Sequence, residues 1–246
     1  KELIAHVLSR RFQVLKSEAN LNTEICIPLA LLQLREEHQR AVLEMAIYSR
    51  GEIALLADIS KPAVGVVTNI GPVHLERLGY IGAIVAAKAE RVEALPPDGL
   101  AILNGDDART AGLARRTRAR AVLFGTSEQC DVRATDVAGH GLGGIEFTLR
   151  TPGGDVHVRC PLPGRHHVYA ALAAAAVAVN DGMSLEEVAA ALADARPGLR
   201  LTPKPGPHSS IIIDDSYNAS PASMLAALDL LAECPGRRIA VLGDMR

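Results

Sequence analysis

Short, unbroken apolar runs alternate with helix-periodic stretches along the first half of the chain, and this alternation restricts the fold more than any other feature. Residues 40–46 (RAVLEMA), 63–70 (AVGVVTNI), 100–105 (LAILNG) and 120–125 (RAVLFG) are rich in Val, Ile and Leu, and helical patterns fill 28–34, 51–59, 81–95 and 107–117. A strand that is apolar at successive positions is covered on both faces, so the pattern predicts an α/β fold with a mostly parallel sheet flanked by helices. Residues 1–12 also read as helix, with Leu3, Val7 and Leu8 on one stripe and no start signal ahead of them. At the other end RRIAVLGDMR stops just after a strand-like run. The chain therefore reads as a fragment cut at both ends.

From 131 to 161 the pattern changes to alternation with Gly-rich turns, which predicts a small antiparallel meander. A helix over 165–179 follows, and a second opens at Ser184, whose Glu187 completes a capping box. The four prolines in RPGLRLTPKPGPHSS (196–210) mark a linker. Beyond it, IIIDDSY, a helix over 222–231 and RIAVLGD predict a second βαβ unit. The expected division is 1–199 as one domain and 200–246 as the beginning of another.

Composition removes several classes of function. With 48% hydrophobic and 22% charged residues and a net charge of −2, the chain can bury a core and advertises neither a nucleic-acid surface nor an anionic membrane. Cys26, Cys130, Cys160 and Cys234 lie far apart with no CxxC pair, against a zinc ribbon or a disulfide framework and in keeping with a reducing cytoplasm. No apolar stretch reaches the length of a membrane span.

Ligands of open parallel sheets collect beyond the carboxyl ends of the strands, and three such places carry chemistry here. Glu44 closes an apolar run, as an acidic residue does when it meets magnesium near a nucleotide phosphate; a salt bridge or a helix cap would place it equally well. In VVTNIGPVH the Gly71-Pro72 turn returns His74 toward the same edge, although magnesium prefers oxygen and a lone histidine is commonly structural. Lys88 lies on the next helix among alanines, and periodicity alone does not distinguish it from a solvated lysine. In DDSYNASPASM two carboxylates end a strand and Ser220-Pro221 opens a helix, which suits a polar ligand or an ordinary capped helix.

These residues carry a resemblance. The stretches NLNTEI, AVLEMA, GEIALLA, VGVVTNIGPVHLERLG, AAKAE, LPGRHHVYAALAA, IIIDDSYNASPASM and RIAVLGDM, in this order, resemble the Mur ligases, and within them those that add D-alanyl-D-alanine to UDP-N-acetylmuramoyl-tripeptide. The resemblance implies a central ATP-binding domain from just after its phosphate loop, followed by the start of a Rossmann-like C-terminal domain, with the N-terminal domain for the UDP-sugar outside the chain. It implies an ATP-dependent ligase of peptidoglycan synthesis, acting in the cytoplasm as a monomer without nucleic-acid or membrane partners, and inactive as an isolated piece. ATP and Mg²⁺ are the expected cofactors. By position Glu44, His74 and Lys88 would be the catalytic and metal-holding groups, with Lys88 carbamylated by carbon dioxide. Arg200 would lie near the γ-phosphate, Tyr217 and Asn218 along the adenosine, and His167 beside adenine. Asn20, Asn22 and Thr23 would approach the substrate.

The chain departs from the family pattern at a few of these places. His167 and Ala170 stand where asparagines face adenine, Ala19 and Cys26 replace expected glycines, and Gly82 replaces an acidic residue. Two other readings therefore stand beside the main one. One is a related Mur-like or folylpolyglutamate-type ligase with a different substrate, the other a degenerate module that binds without catalysis.

Overall fold

The computed structural model describes residues 1–47, 49–72, 79–196 and 200–245. Helix α1 (Glu2–Leu8), strand β1 (Val14–Lys16), helix α2 (Cys26–Leu31) and strand β2 (Arg40–Val42) come first. Helix α3 (Glu52–Ser60), strand β3 (Val64–Val67), helix α4 (Ile81–Glu93) and strand β4 (Leu100–Asn104) follow. A short helix α5 (Ala108–Ala111) runs into a 3-10 segment, Gly112–Arg116, before β5 (Arg120–Gly125). Strands β6 (Val132–Gly139), β7 (Ile145–Thr151) and β8 (Gly154–Cys160) precede helices α6 (His167–Asn180) and α7 (Leu185–Ala193). The last elements are β9 (Thr202–Pro205), β10 (Ile211–Asp214) and α8 (Pro221–Glu233).

Strands β3 to β8 form one sheet in chain order, parallel from β3 to β6 and antiparallel from β6 to β8. Strand β4 shows why its sequence is continuously apolar, since all five of its residues are buried. Alternate side chains leave a strand on opposite faces. Ala101 and Leu103 join a cluster with Val67, Ile84, Val92 and Leu95, whereas Leu100 and Ile102 join another with Val7, Phe124, Phe147 and Leu172. Each fully buried phenylalanine stabilises the fold by about 1.5–3 kcal/mol relative to exposure. The alanines of α6 from 173 to 176 are at most 1% exposed, so this helix lies close against the sheet and against α1. Ser184 and Glu187 form the expected capping box at the start of α7.

Three predicted elements differ. The run at 40–46 is a strand only over Arg40–Val42 and pairs in parallel with β1 in a separate two-stranded sheet. Beyond Val42 its backbone turns to other partners, the Glu44 amide donating to Ser17 Oγ at 3.2 Å and the Ala46 amide to the Asn22 carbonyl at 2.9 Å. The helix predicted over 107–117 tightens into 3-10 geometry at Gly112, where the low helix propensity of glycine removes support for α-helix. The second βαβ unit does not form. Strand β10 pairs antiparallel with β9, and residues 238–244 are not a strand. That run has strand composition but no ladder partner among the described residues, which leaves Val241 93% exposed.

The last unit is seated by the C-terminal end of α8. Glu233 pairs with Arg165 Nε at 2.9 Å, and a Cβ at Gly139 would come within 2.8 Å of Glu233 Oε2 and 3.0 Å of Arg165 Nε. The glycine lets the ion pair lie against the β6 backbone, and a larger residue would push these two side chains aside.

Candidate active site

The chain that leaves β2 turns back on the loop after β1, and this brings Glu44 to Asn22. Glu44 Oε1 accepts from Asn22 Nδ2 at 3.2 Å, and Oε2 lies 3.8 Å from Lys1 Nζ. The Lys1 side chain is only 5% exposed, pairs with Glu2 at 3.2 Å and donates to the Ala19 carbonyl. Ala19 has φ +39°, a left-handed conformation that glycine adopts more easily, in agreement with the glycine expected at that position. Asn20 is exposed in the adjoining turn. Thr23 opens α2, its carbonyl accepting from the Ile27 amide at 3.0 Å and its hydroxyl from Cys26 at 3.4 Å. Lys1 escaped sequence reasoning, because burial of a lysine leaves no local signature.

Helix α4 carries Lys88 to the end of β3. Lys88 is half-buried and donates to the Asn69 carbonyl at 2.6 Å. Burial pushes its amine below the ordinary lysine range, the Arg91 charge pushes the same way, and Asp107 opposes both. Arg91 reaches β3 and the segment that follows β2, donating to the Val66 carbonyl at 3.0 Å and the Met45 carbonyl at 3.1 Å. Desolvation disfavours its charge and Glu44 favours it. Arg91 thus electrostatically touches both Lys88 and Glu44. His74 lies outside the described residues.

The segment after β3 is held from β4. Asn104 Nδ2 donates to the Thr68 carbonyl at 2.8 Å, and Asp107 accepts from the Ile70 amide at 2.6 Å while capping α5 through the Arg109 amide at 3.1 Å. Asp106 points the other way and accepts from the amide and hydroxyl of Thr126, both at 2.7 Å, from those of Ser127 at 3.0 and 2.5 Å, and from the Tyr169 hydroxyl at 3.0 Å. Burial alone would raise this carboxyl, but the Ser127 and Thr126 donors outweigh it and hold the group at about 2. The NGDD signal at a strand end, the same kind that marked Glu44, was sufficient to find this frame.

Arg200, Tyr217, Asn218 and His167 gather elsewhere, near Asp215. Arg200 donates to the Asn218 carbonyl, lies 3.6 Å from Asp215 Oδ1 and stacks 4.9 Å from the centre of the Tyr217 ring. His167 Nδ1 is 2.6 Å from the Pro163 carbonyl. Burial lowers the basicity of His167, while that carbonyl, Gly164 and the charge of Asp215 act against it. Asp214 is engaged by Lys204 at 2.6 Å and by the Ser216 hydroxyl at 2.7 Å. Ser220 caps α8 with Pro221 in its first turn, as the sequence predicts. Ala170 is half-buried.

The donors bear on whether magnesium fits. Among the described residues no group of three His, Cys, Asp or Glu side chains is arranged to hold a metal ion. One half-exposed carboxylate and a protonated amine would not hold a dication. A carbamate on Lys88 changes that balance, because it replaces an ammonium with oxygen donors, and an amine of depressed basicity is what its formation requires. Glu44 and such a carbamate would together supply the oxygen donors that magnesium prefers.

Comparison with known proteins decides the family. Residues 1–178 match the model of the Mur ligase middle domain. The chain belongs to the Mur ligase family. A Mur ligase relative, UDP-N-acetylmuramoyl-tripeptide--D-alanyl-D-alanine ligase of Escherichia coli K12, is 39% identical over 251 residues, covering 100% of this chain and 55% of its own length. The crystal structure of MurF from Acinetobacter baumannii superposes with a TM-score of 0.91 at 36% identity, covering 97% of this chain and 52% of that one. MurF from Thermotoga maritima in complex with ADP superposes at 0.85 with 26% identity, covering 96% and 55%. The chain thus spans about half the length of the Mur ligases it matches. Among its described residues no helix is long and apolar enough to cross a membrane.

Proposed function

We propose that the chain is the ATP-binding core of a ligase that joins D-alanyl-D-alanine to UDP-N-acetylmuramoyl-tripeptide in peptidoglycan precursor synthesis. The observation that carries this reading is the match along the whole chain to relatives bearing that one name, 39% identical in the first case. Residues 1–199 then serve as the central domain and 200–246 as the start of the C-terminal one. The enzyme works as a cytoplasmic monomer.

In this reading the γ-phosphoryl group of ATP passes to the tripeptide carboxylate and ADP leaves. The amine of D-alanyl-D-alanine attacks the acyl phosphate, the tetrahedral intermediate collapses, phosphate leaves with the bonding pair, and the amine proton goes to solvent. Glu44, His74 and a carbamylated Lys88 hold Mg²⁺, which when bound offsets negative charge on the transferred phosphoryl group. Asn22 orients Glu44 through its 3.2 Å bond, and Asn20 and Thr23 flank it on the loop that meets the substrate. Arg200 turns from the Asp215 and Tyr217 contacts toward the γ-phosphate, Tyr217 and Asn218 line the adenosine, and His167 borders adenine.

The desolvation of Lys88 supports its part, since a buried amine spends more time neutral and so combines more readily with carbon dioxide, losing one proton. The test is phosphate release by the complete gene product. Lys88→Ala is expected to lower it about 100-fold or more, the range for losing a group that stabilises transition-state charge, and bicarbonate is expected not to restore it. Turnover like that of the wild type would remove the carbamate from the mechanism.

A further inference from the structure

Strand β3 is the edge of the six-stranded sheet, and β2 belongs to a different sheet, so among the described residues no strand ladder joins the Glu44 segment to the strand that leads to Lys88. A side chain spans the gap instead. Helix α4 lies directly on β3 at Gly65, where a Cβ would come 3.2 Å from Leu95 Cδ1 and 3.4 Å from both Arg91 Cγ and the Arg91 carbonyl. The stem of Arg91 crosses that glycine. Its guanidinium then divides, Nη1 to the Val66 carbonyl of β3 at 3.0 Å and Nη2 to the Met45 carbonyl, next to Glu44, at 3.1 Å.

Lys88 stands three residues before Arg91 on the same helix, a spacing that puts the two on one face. Lys88 is tied to the same strand end through Asn69 at 2.6 Å. One guanidinium therefore joins the segment that carries the carboxylate, the strand and the helix that carries the amine. The planar fork matters, because an ammonium offers no rigid pair of donors for two carbonyls on separate elements.

We propose that Arg91 is a positioning residue that sets the separation of Glu44 and Lys88 and thereby the affinity of the site for a divalent cation. The inference rests on the reading of Glu44 and Lys88 as metal-site groups. Groups that hydrogen-bond metal ligands from behind are worth about 10–100-fold in affinity when removed; Arg91 acts one step further back, through the Met45 and Val66 carbonyls of the segments that carry Glu44 and lead to Lys88.

The experiment titrates Mn²⁺ alone, with bicarbonate present, into the complete gene product and reads the loss of the free-ion EPR signal. Arg91→Met keeps the stem and removes both donors; Arg91→Lys keeps the charge but places its donors on a single nitrogen without the planar fork. Both are expected to weaken Mn²⁺ binding, the first by about 10–100-fold. Glu90→Ala is the control on the same helix, because among the described residues Glu90 bonds to the start of α3, at the Gly51 amide at 2.8 Å and the Ala54 amide at 3.2 Å. It is expected to lower the melting temperature and leave Mn²⁺ affinity at the wild-type value. Folded Arg91 variants that bind Mn²⁺ within twofold of wild type would overturn the proposal, as would a Glu90→Ala protein weakened to the same degree. A wild-type protein without Mn²⁺ binding would instead remove the metal-site reading on which it rests.

Discussion

Replacing Asp106 with Asn tests whether this one carboxylate ties β4, β5 and α6 together. Its two oxygens receive the amides and hydroxyls of Thr126 and Ser127 and the Tyr169 hydroxyl, and a Cβ at Gly125 would lie 2.7 Å from the carboxylate carbon, so the group rests on the β5 backbone and has no room to swing away. In Asp106→Asn one oxygen becomes an NH₂. Hydroxyls on that side can rotate to accept, but a backbone N–H cannot, so at least one amide loses its acceptor whichever way the side chain turns. Losing one hydrogen bond to a charged group costs about 1.5–3 kcal/mol, and weakening the others brings the total to about 3 kcal/mol. For a chain of this size that is a fall of roughly 6–12 °C in melting temperature. Calorimetry and urea unfolding at neutral pH measure it. The pH dependence gives a second arm. Because the folded carboxyl is held at about 2, below its ordinary 3.8, the wild-type advantage over Asp106→Asn is full above that ordinary value and is lost as pH falls toward about 2. A variant within about 0.5 kcal/mol of wild type at neutral pH, the range of a neutral surface change, would refute the reasoning.

Two further outcomes follow from the same structure. Ala19→Gly relieves the left-handed strain at φ +39° and is expected to stabilise the fold by about 0.5–1 kcal/mol, read as a higher urea midpoint with an unchanged slope; a lower midpoint would contradict it. His167 is half-buried and desolvation lowers its basicity, so the stability it contributes is present above the ordinary histidine range and is lost as pH falls below it. His167→Asn is expected to flatten the fall in melting temperature with acidification, and an identical slope in both proteins would contradict this.

Local signals in the sequence were enough where a local interaction determines the element. The capping box of Ser184 and Glu187 is closed within three residues, and the apolar runs of β3, β4 and β5 demand cover on both faces wherever they are placed. Partner choice was not legible. Residues 238–244 have the composition of a strand, and β10 that of a parallel one, but strand formation depends on a neighbour that composition does not specify, and β10 pairs with β9. Strand β1, three residues long, is below what periodicity can register.

At the site, strand-end logic marks Glu44, and the family resemblance marks Asn22, which donates to it. Asp106 stands at a strand end of the same kind and accepts from Thr126, Ser127 and Tyr169. Whether Lys88 is solvated or buried depends on how α4 sits over Gly65, a property of tertiary packing. Arg91 was unreadable for the same reason, since its value lies in reaching Met45 from 46 residues away in the chain.

The most direct measurement of the central claim is phosphate release from Mg-ATP by the complete gene product with UDP-N-acetylmuramoyl-tripeptide, in the presence and absence of D-alanyl-D-alanine. Release that requires both acceptors, with one phosphate for each amide formed, is the predicted result, and it would make His167 and Ala170 a local rearrangement that adenine binding tolerates. No release beside an active control ligase, or release indifferent to the two acceptors, would contradict it and point to a different substrate or a module that binds without catalysis.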